Sequence, residues 1–203
     1  MSDFHQNGVI STLHNLSTRS LDDIERELRD YSKSAPIELI LPSLYSELQG
    51  TALKNIVECL SKVKYLNHIT IGLDRATKKE YMKAKEFFSN LNQSHSVLWN
   101  DSPKMKKLDK DFMALGIAPD QAGKGKNVWY CMGYTYSRNE AKSVALHDCD
   151  IMTYSRELLA KLVYPVANPH FNYEFCKGYY PRVRDGSVGG RVTRLLVTPF
   201  LKT

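Results

Sequence analysis

No apolar stretch in these 203 residues approaches the roughly 18 needed to cross a bilayer as a helix. The opening MSDFHQNGVISTLHN lacks the basic-then-apolar order of a secretory signal, so the cytoplasm is the expected location. Cysteine is sparse: Cys59, Cys131, Cys149 and Cys176 lie far apart, with no C-x-x-C pair. That spacing argues against a zinc knuckle or a disulfide framework and predicts reduced, mostly buried thiols. Long runs of one charge are missing as well. Lys and Arg total 28 against 22 Asp and Glu, but KKEYMKAKEFF and PKMKKLDKDF alternate lysines with acids and apolar residues, as solvated helix faces do. RNA-recognition signatures are absent, and nucleic acid is not an expected partner. The net charge of +6 instead favours small anions such as phosphorylated metabolites and nucleotides. Internal repeats and low-complexity segments are absent too.

What remains is an ordinary globular composition, 42% hydrophobic and 25% charged, long enough to bury a sizeable core. Its apolar pattern alternates in type. Ser20 and Asp23 form an S-x-x-D capping box ahead of Leu21, Ile24, Leu28 and Tyr31 at helical spacing. The run Ile37 to Ser43 predicts a buried strand, and Leu53, Ile56, Val57 and Leu60 a helix with one core face. His68 to Leu73 is the next strand, Tyr81 to Leu91 the next helix, and His95 to Trp99 a third strand. From Asn100 to Lys126 the rhythm breaks into a long polar excursion with at most a helical turn around Lys107 to Leu115, and long excursions are often functional. A helix from Asn127 to about Tyr136 follows, then a fourth strand, Ser143 to Leu146, and a helix whose core face carries Tyr154, Leu158, Leu159, Leu162 and Val163. Strand and helix in alternation predict an α/β fold with a parallel, mostly buried sheet. Ligands of such sheets collect outside the carboxyl ends of the strands.

Two carboxylates, Asp148 and Asp150, fall at one of those ends in the stretch HDCD. Like charges raise one another's pKa. Mg2+ or Mn2+ resolves the conflict, because hard cations bind one or two carboxylates together with a substrate's phosphates. The blander reading is that one acid caps the next helix while the other faces water. In QAGKGKNVWY, glycines flank Lys124 just ahead of a helix. Such a turn lets backbone approach a phosphate and adds positive potential, although the Walker A spacing is missing. DGSVGGRVTRLL offers Gly190, Arg191 and Thr193 as a seat for a phosphate or carboxylate. Each glycine segment reads equally as a plain hinge. LPSLYSEL ends the first strand with a turn on which a base or ribose could rest.

Taken in order, LPSLYSEL, AGKGKNVW, HDCD, CKGYYPR and GGRVTRLLVTPFL resemble the glucosyl-3-phosphoglycerate synthases. The resemblance covers about Ile37 to the C-terminus. It implies the GT-A fold, a Rossmann-like sandwich, and retaining transfer of a hexosyl group, glucosyl by expectation, from a nucleotide-diphosphate sugar to 3-phosphoglycerate. Residues 1–34 are then an N-terminal helical extension and 35–203 the nucleotide-sugar-binding domain, its acceptor region incomplete from about 174. Carried over by position, the family's first-strand turn falls on Pro42, Ser43, Leu44 and Glu47, with one residue inserted and Tyr45 in place of Asn. Asp74 is kept at the second strand's end, but Arg75 and Ala76 follow it, so the donor base is open. Lys124 matches the nucleotide-binding lysine. Asp148 and Asp150 match the catalytic D-x-D, with Asp150 as direct metal ligand and Asp148 nearer the donor sugar or ribose. Gly190, Arg191 and Thr193 match the segment that holds the acceptor's phosphate. The resembling enzymes run on well past GGRVT, which leaves two further expectations: a fragment, or a nucleotide-sugar-binding module without turnover. A phosphate-binding α/β protein without sugar chemistry is the third reading, and a homodimer is compatible with all three.

Overall fold

The computed structural model describes residues 18–171 and 173–178, with the short strands at 183–184 and 187–188. By contacts the chain divides into Ser20–Cys176 and a smaller unit of Met1–Arg19 with Lys177–Thr203. The larger unit runs α1 (Leu21–Ser32), β1 (Ile37–Leu44), a 3-10 turn (Tyr45–Gln49), α2 (Thr51–Ser61), β2 (Leu66–Asp74), α3 (Lys78–Phe88), β3 (His95–Trp99), α4 (Pro103–Ala114), α5 (Lys124–Arg138), β4 (Ser143–Leu146) and α6 (Arg156–Ala167). In the smaller unit, β5 (Val183–Arg184) pairs antiparallel with β6 (Ser187–Val188).

The four strands form one parallel sheet in the order β3-β2-β1-β4. Strand β1 lies between two neighbours, and Ile37, Leu39, Ile40 and Leu41 are fully buried, each stabilising by about 1.5–3 kcal/mol relative to exposure. Strand β4 departs from the expected buried strand. Among the described residues it pairs with β1 alone, and Val144 and Leu146 stay 39% exposed while Ser143 and Ala145 turn inward. A three-residue apolar run cannot by itself reveal whether both faces are covered.

Helix starts follow their local signals. Ser20 caps α1 by accepting the Asp23 N–H, and Thr77 with Glu80 completes a capping box on α3. The expected excursion after Asn100 is instead largely α4, a helix of 12 residues. Ser102 accepts the Met105 N–H and Pro103 opens the first turn. None of its residues is fully buried, which is why no apolar stripe announced it. Helix α5 begins at Lys124, three residues earlier than its apolar pattern suggests.

The docking of α5 sets the geometry of the sheet's carboxyl edge. On β2, Thr70, Gly72 and Asp74 alternate onto one face. Along α5, Thr135, Cys131 and Asn127 recur every four residues. Two strand residues span about 6.6 Å and four helix residues about 6 Å, so the two series meet in register. Thr70 and Thr135 join hydroxyls at 3.5 Å, and the Asn127 amide donates to the Gly72 carbonyl at 2.9 Å. A Cβ on Gly72 would lie 1.8 Å from Asn127 Oδ1 and 2.4 Å from Cys131 Sγ. Glycine is therefore required for this close approach. The antiparallel run brings the N-terminus of α5, and Lys124 with it, to the carboxyl end of β2.

Candidate functional site

The chain extends its sheet from β1 through β2 to β3 on one side and then places β4 on the other. The switch point lies between β1 and β4, where parallel sheets open a crevice at their carboxyl ends. Ile40 is the last β1 residue in register with β4, and its carbonyl accepts the His147 N–H at 3.1 Å. The peptide groups of Pro42 and Leu44 face the same side, where β4 has ended. Pro42 therefore sits in a central strand without costing a ladder bond. The orphan Leu44 N–H donates to Glu47 Oε2 at 2.8 Å, and the Ser43 hydroxyl donates to the same oxygen at 3.1 Å. Thus Pro42, Ser43, Leu44 and Glu47 form one tight turn on the crevice wall.

On the opposite wall the residues after β4 alternate. His147 and Cys149 are buried, Asp148 is half-buried and Asp150 is exposed. Burial pushes the Cys149 thiol well above its ordinary value, against the Ser43 hydroxyl and Lys124. Cys149 thus remains a neutral thiol, and its neighbours Ser43, Glu47, Lys124 and Asp148 tie the first-strand turn, the α5 terminus and the D-x-D to one place. His147 holds the Tyr154 hydroxyl at 3.1 Å through Nδ1. Burial drops its pKa to about 4, although Asp148 opposes the shift. It is a neutral core imidazole beneath the acids.

Lys124 reaches across the crevice, its Nζ 2.5 Å from Asp148 Oδ1. Its neighbour Lys126 is held by Asp109 of α4 at 2.6 Å, and Asp109 also accepts from the Tyr130 hydroxyl at 2.5 Å. Gly123, ahead of Lys124, has φ 147°, a backbone conformation that side-chain-bearing residues rarely adopt.

Asp74 lies at the end of β2, in register with Leu44. Burial raises its pKa, opposed by the Asn100 amide, which donates to Oδ1 at 2.7 Å. Arg75 then takes a left-handed turn at φ 55°. Ala76 is clamped by β3's end: its N–H donates to Asp101 and its carbonyl accepts the Trp99 indole N–H at 2.7 Å. The sequence reading had not singled out Asn100 and Asn127, which hold Asp74 and the α5 terminus. A polar residue directly after a strand's last aromatic was the available signal for Asn100. Asn127 passed as an ordinary first-turn residue.

The structure thus brings Pro42, Ser43, Leu44, Glu47, Asp74, Lys124, Asp148 and Asp150 to the same sheet edge. Gly190, Arg191 and Thr193 lie outside the described residues. Among the described residues no three His, Cys, Asp or Glu side chains cluster as a ready metal cage. Among the described residues, with His147 and Cys149 buried and neutral, the two carboxylates offer hard-oxygen donors, suited to Mg2+ or Mn2+ that takes further ligands from phosphate and water. A cation, the Lys124 ammonium, already rests on one of these acids.

Parallel strand order, helices packed against the sheet and an acid pair at the switch point define a Rossmann-like α/β domain of the GT-A type. No protein-family model matches the chain. Two curated proteins do, both named glucosyl-3-phosphoglycerate synthase. The one from Persephonella marina is 46% identical over 202 residues, and the one from Methanococcoides burtonii is 37% identical over 204. These matches cover 100% and 99% of this chain and 50% of each relative. The chain is thus similar along its length to proteins named glucosyl-3-phosphoglycerate synthase, and it spans about half the length of the curated relatives it matches. Among the described residues, no helix is long and apolar enough to cross a membrane.

Proposed function

We propose that this chain carries the nucleotide-sugar site of a retaining glycosyltransferase. The reaction moves a glucosyl group from a nucleotide-diphosphate sugar to 3-phosphoglycerate. The observation that carries the reading is the juxtaposition of Lys124 with the D-x-D at the β1/β4 switch point. The names of the two relatives support the choice of substrates.

In this reading the turn Pro42 to Glu47, with Asp74, receives the base and ribose. Lys124 and the exposed N–H groups of the first α5 turn receive the diphosphate, a helix N-terminus being favourable for anions. Asp150 would hold Mg2+ or Mn2+, with Asp148 beside it against the donor sugar or ribose. When bound, such a cation supplies Lewis-acid stabilisation of charge on the leaving diphosphate. Lys124 adds to that electrostatic stabilisation from the opposite wall. By motif resemblance, Gly190, Arg191 and Thr193 would take the acceptor's phosphate, and orientation of a bound acceptor lowers a bimolecular barrier by several kcal/mol.

Incubating the protein with Mg2+, 3-phosphoglycerate and isotopically labelled uridine or guanosine diphosphate glucose tests the reaction. Labelled glucosyl-3-phosphoglycerate is the expected product. Donor binding without product would favour the non-catalytic module, and no binding of either donor would favour a phosphate-binding protein without sugar chemistry. Arg191→Ala is expected to weaken acceptor use while sparing donor binding. Equal loss of both would remove Arg191 from the acceptor seat.

A further inference from the structure

Lys124 meets Asp148 directly, its Nζ 2.5 Å from Oδ1. Each side chain is half in water, with 55% and 44% of its area exposed, so the pair is a weak one that a better partner displaces. The second lysine of the turn does not share this freedom. Lys126 is 13% exposed and bound to Asp109, which fixes α5 to α4. Around Lys124 the backbone has room: an added Cβ at Gly123 or Gly125 would meet nothing within 4 Å. A fixed helix therefore presents one mobile ammonium on an open glycine turn, on the acid two residues from Asp150, the proposed metal ligand.

We infer that Lys124 is a placeholder counter-ion, holding Asp148 until the donor's diphosphate draws the ammonium away and so coupling metal binding to nucleotide binding. This rests on the site reading given under the proposed function and adds an order of events to it. The physical basis is repulsion between the metal and a positive charge already held within the acid pair. A divalent cation approaching the D-x-D alone must displace or tolerate a fixed positive charge. A nucleoside diphosphate offers Lys124 more negative charge than Asp148 does, so the lysine moves to the phosphates and Asp148 is released. The same ammonium opposes metal in the empty site and assists it in the nucleotide-bound one. An ordinary structural ion pair has no such change of sign.

The test uses Mn2+ as probe, its free concentration read by electron paramagnetic resonance, on the full-length protein as wild type, Lys124→Met and Lys124→Arg. Methionine keeps most of the stem and removes the charge; arginine keeps the charge. With Mn2+ alone, Lys124→Met is expected to bind about fivefold tighter than wild type, the affinity equivalent of releasing one exposed ion pair. Lys124→Arg is expected to stay near wild type. With saturating uridine or guanosine diphosphate the order reverses, and Lys124→Met binds Mn2+ more weakly than wild type.

Equal or weaker Mn2+ binding by Lys124→Met without nucleotide would overturn the inference, as would no Mn2+ binding by any of the three proteins. Loss of charge dependence, with arginine behaving as methionine does, would overturn it as well. Failure of the site reading is a separate outcome. It would show as wild-type protein whose Mn2+ affinity neither nucleotide improves, whatever Lys124→Met does to Mn2+ alone. Thermal melting of the three proteins, expected to coincide because Lys124 is exposed, confirms that the comparison is between folded states.

Discussion

Single side chains at the two ends of the sheet do opposite work. At the carboxyl end, acids are left half in water where a cation can reach them. At the other end, His68 is buried with both ring nitrogens matched. His68 is 2% exposed and holds Ser94 and Ser96 hydroxyls at 2.9 and 3.1 Å. Burial, with some help from Arg138, lowers its pKa from 6.5 to about 4. The unfolded chain therefore takes up a proton below pH 6.5 that the folded chain refuses, and stability falls from pH 6.5 towards 4, by about 2 kcal/mol at pH 5 from this group. Glu38, raised by burial despite Arg138, slopes the other way, since its protonation favours the fold as pH drops. Melting temperatures of wild type and His68→Gln at pH 7.5 and 5 should show a smaller acid loss in the variant. Parallel curves would mean that His68 is not the buried base described here.

At the scale of elements, the meeting of α5 and β2 decides where the site falls. Gly72→Ala forces a methyl group into Asn127 and Cys131, and overpacking of this kind costs about 1–3 kcal/mol. Asn127→Ala removes the nearer obstacle, so the double variant should lose less stability than the sum of the single ones. Urea midpoints of the four proteins measure the coupling, and strictly additive losses would contradict the close approach. Helix α4 offers a second check. Ser102→Ala removes its N-cap and is expected to cost about 1 kcal/mol, read as a lower urea midpoint; no change would mean that α4 does not depend on its cap. These two helices also mark where sequence reading stopped. Helices with one apolar stripe, such as α2 with Leu53, Ile56, Val57 and Leu60 buried, were legible from periodicity. Helix α4 buries no residue completely, and the start of α5 is a glycine-lysine turn, so neither boundary carried a hydrophobic signal. That β4 pairs with β1 alone among the described residues was hidden for a related reason: strand neighbours are set by tertiary pairing, not by local pattern.

At the scale of the whole molecule, the candidate site comes from a topological reversal that assembles residues far apart in the chain. The acid pair was legible in HDCD and the lysine in AGKGK, but their contact was not, because it requires β1 between β2 and β4 and α5 running back along β2. Asn100 and Asn127 escaped notice because their roles exist only once those strands are adjacent. The acceptor segment at Gly190, Arg191 and Thr193 rests on motif resemblance alone. The most direct measurement is calorimetric titration of a nucleotide-diphosphate glucose, uridine and guanosine forms in turn, into wild type and Asp150→Ala, with Mg2+ and with chelator. Binding by wild type that requires Mg2+, and its loss in Asp150→Ala, is the expected result. Donor affinity unchanged by chelator or by the substitution would show that the D-x-D is not the anchor of a metal-bound diphosphate.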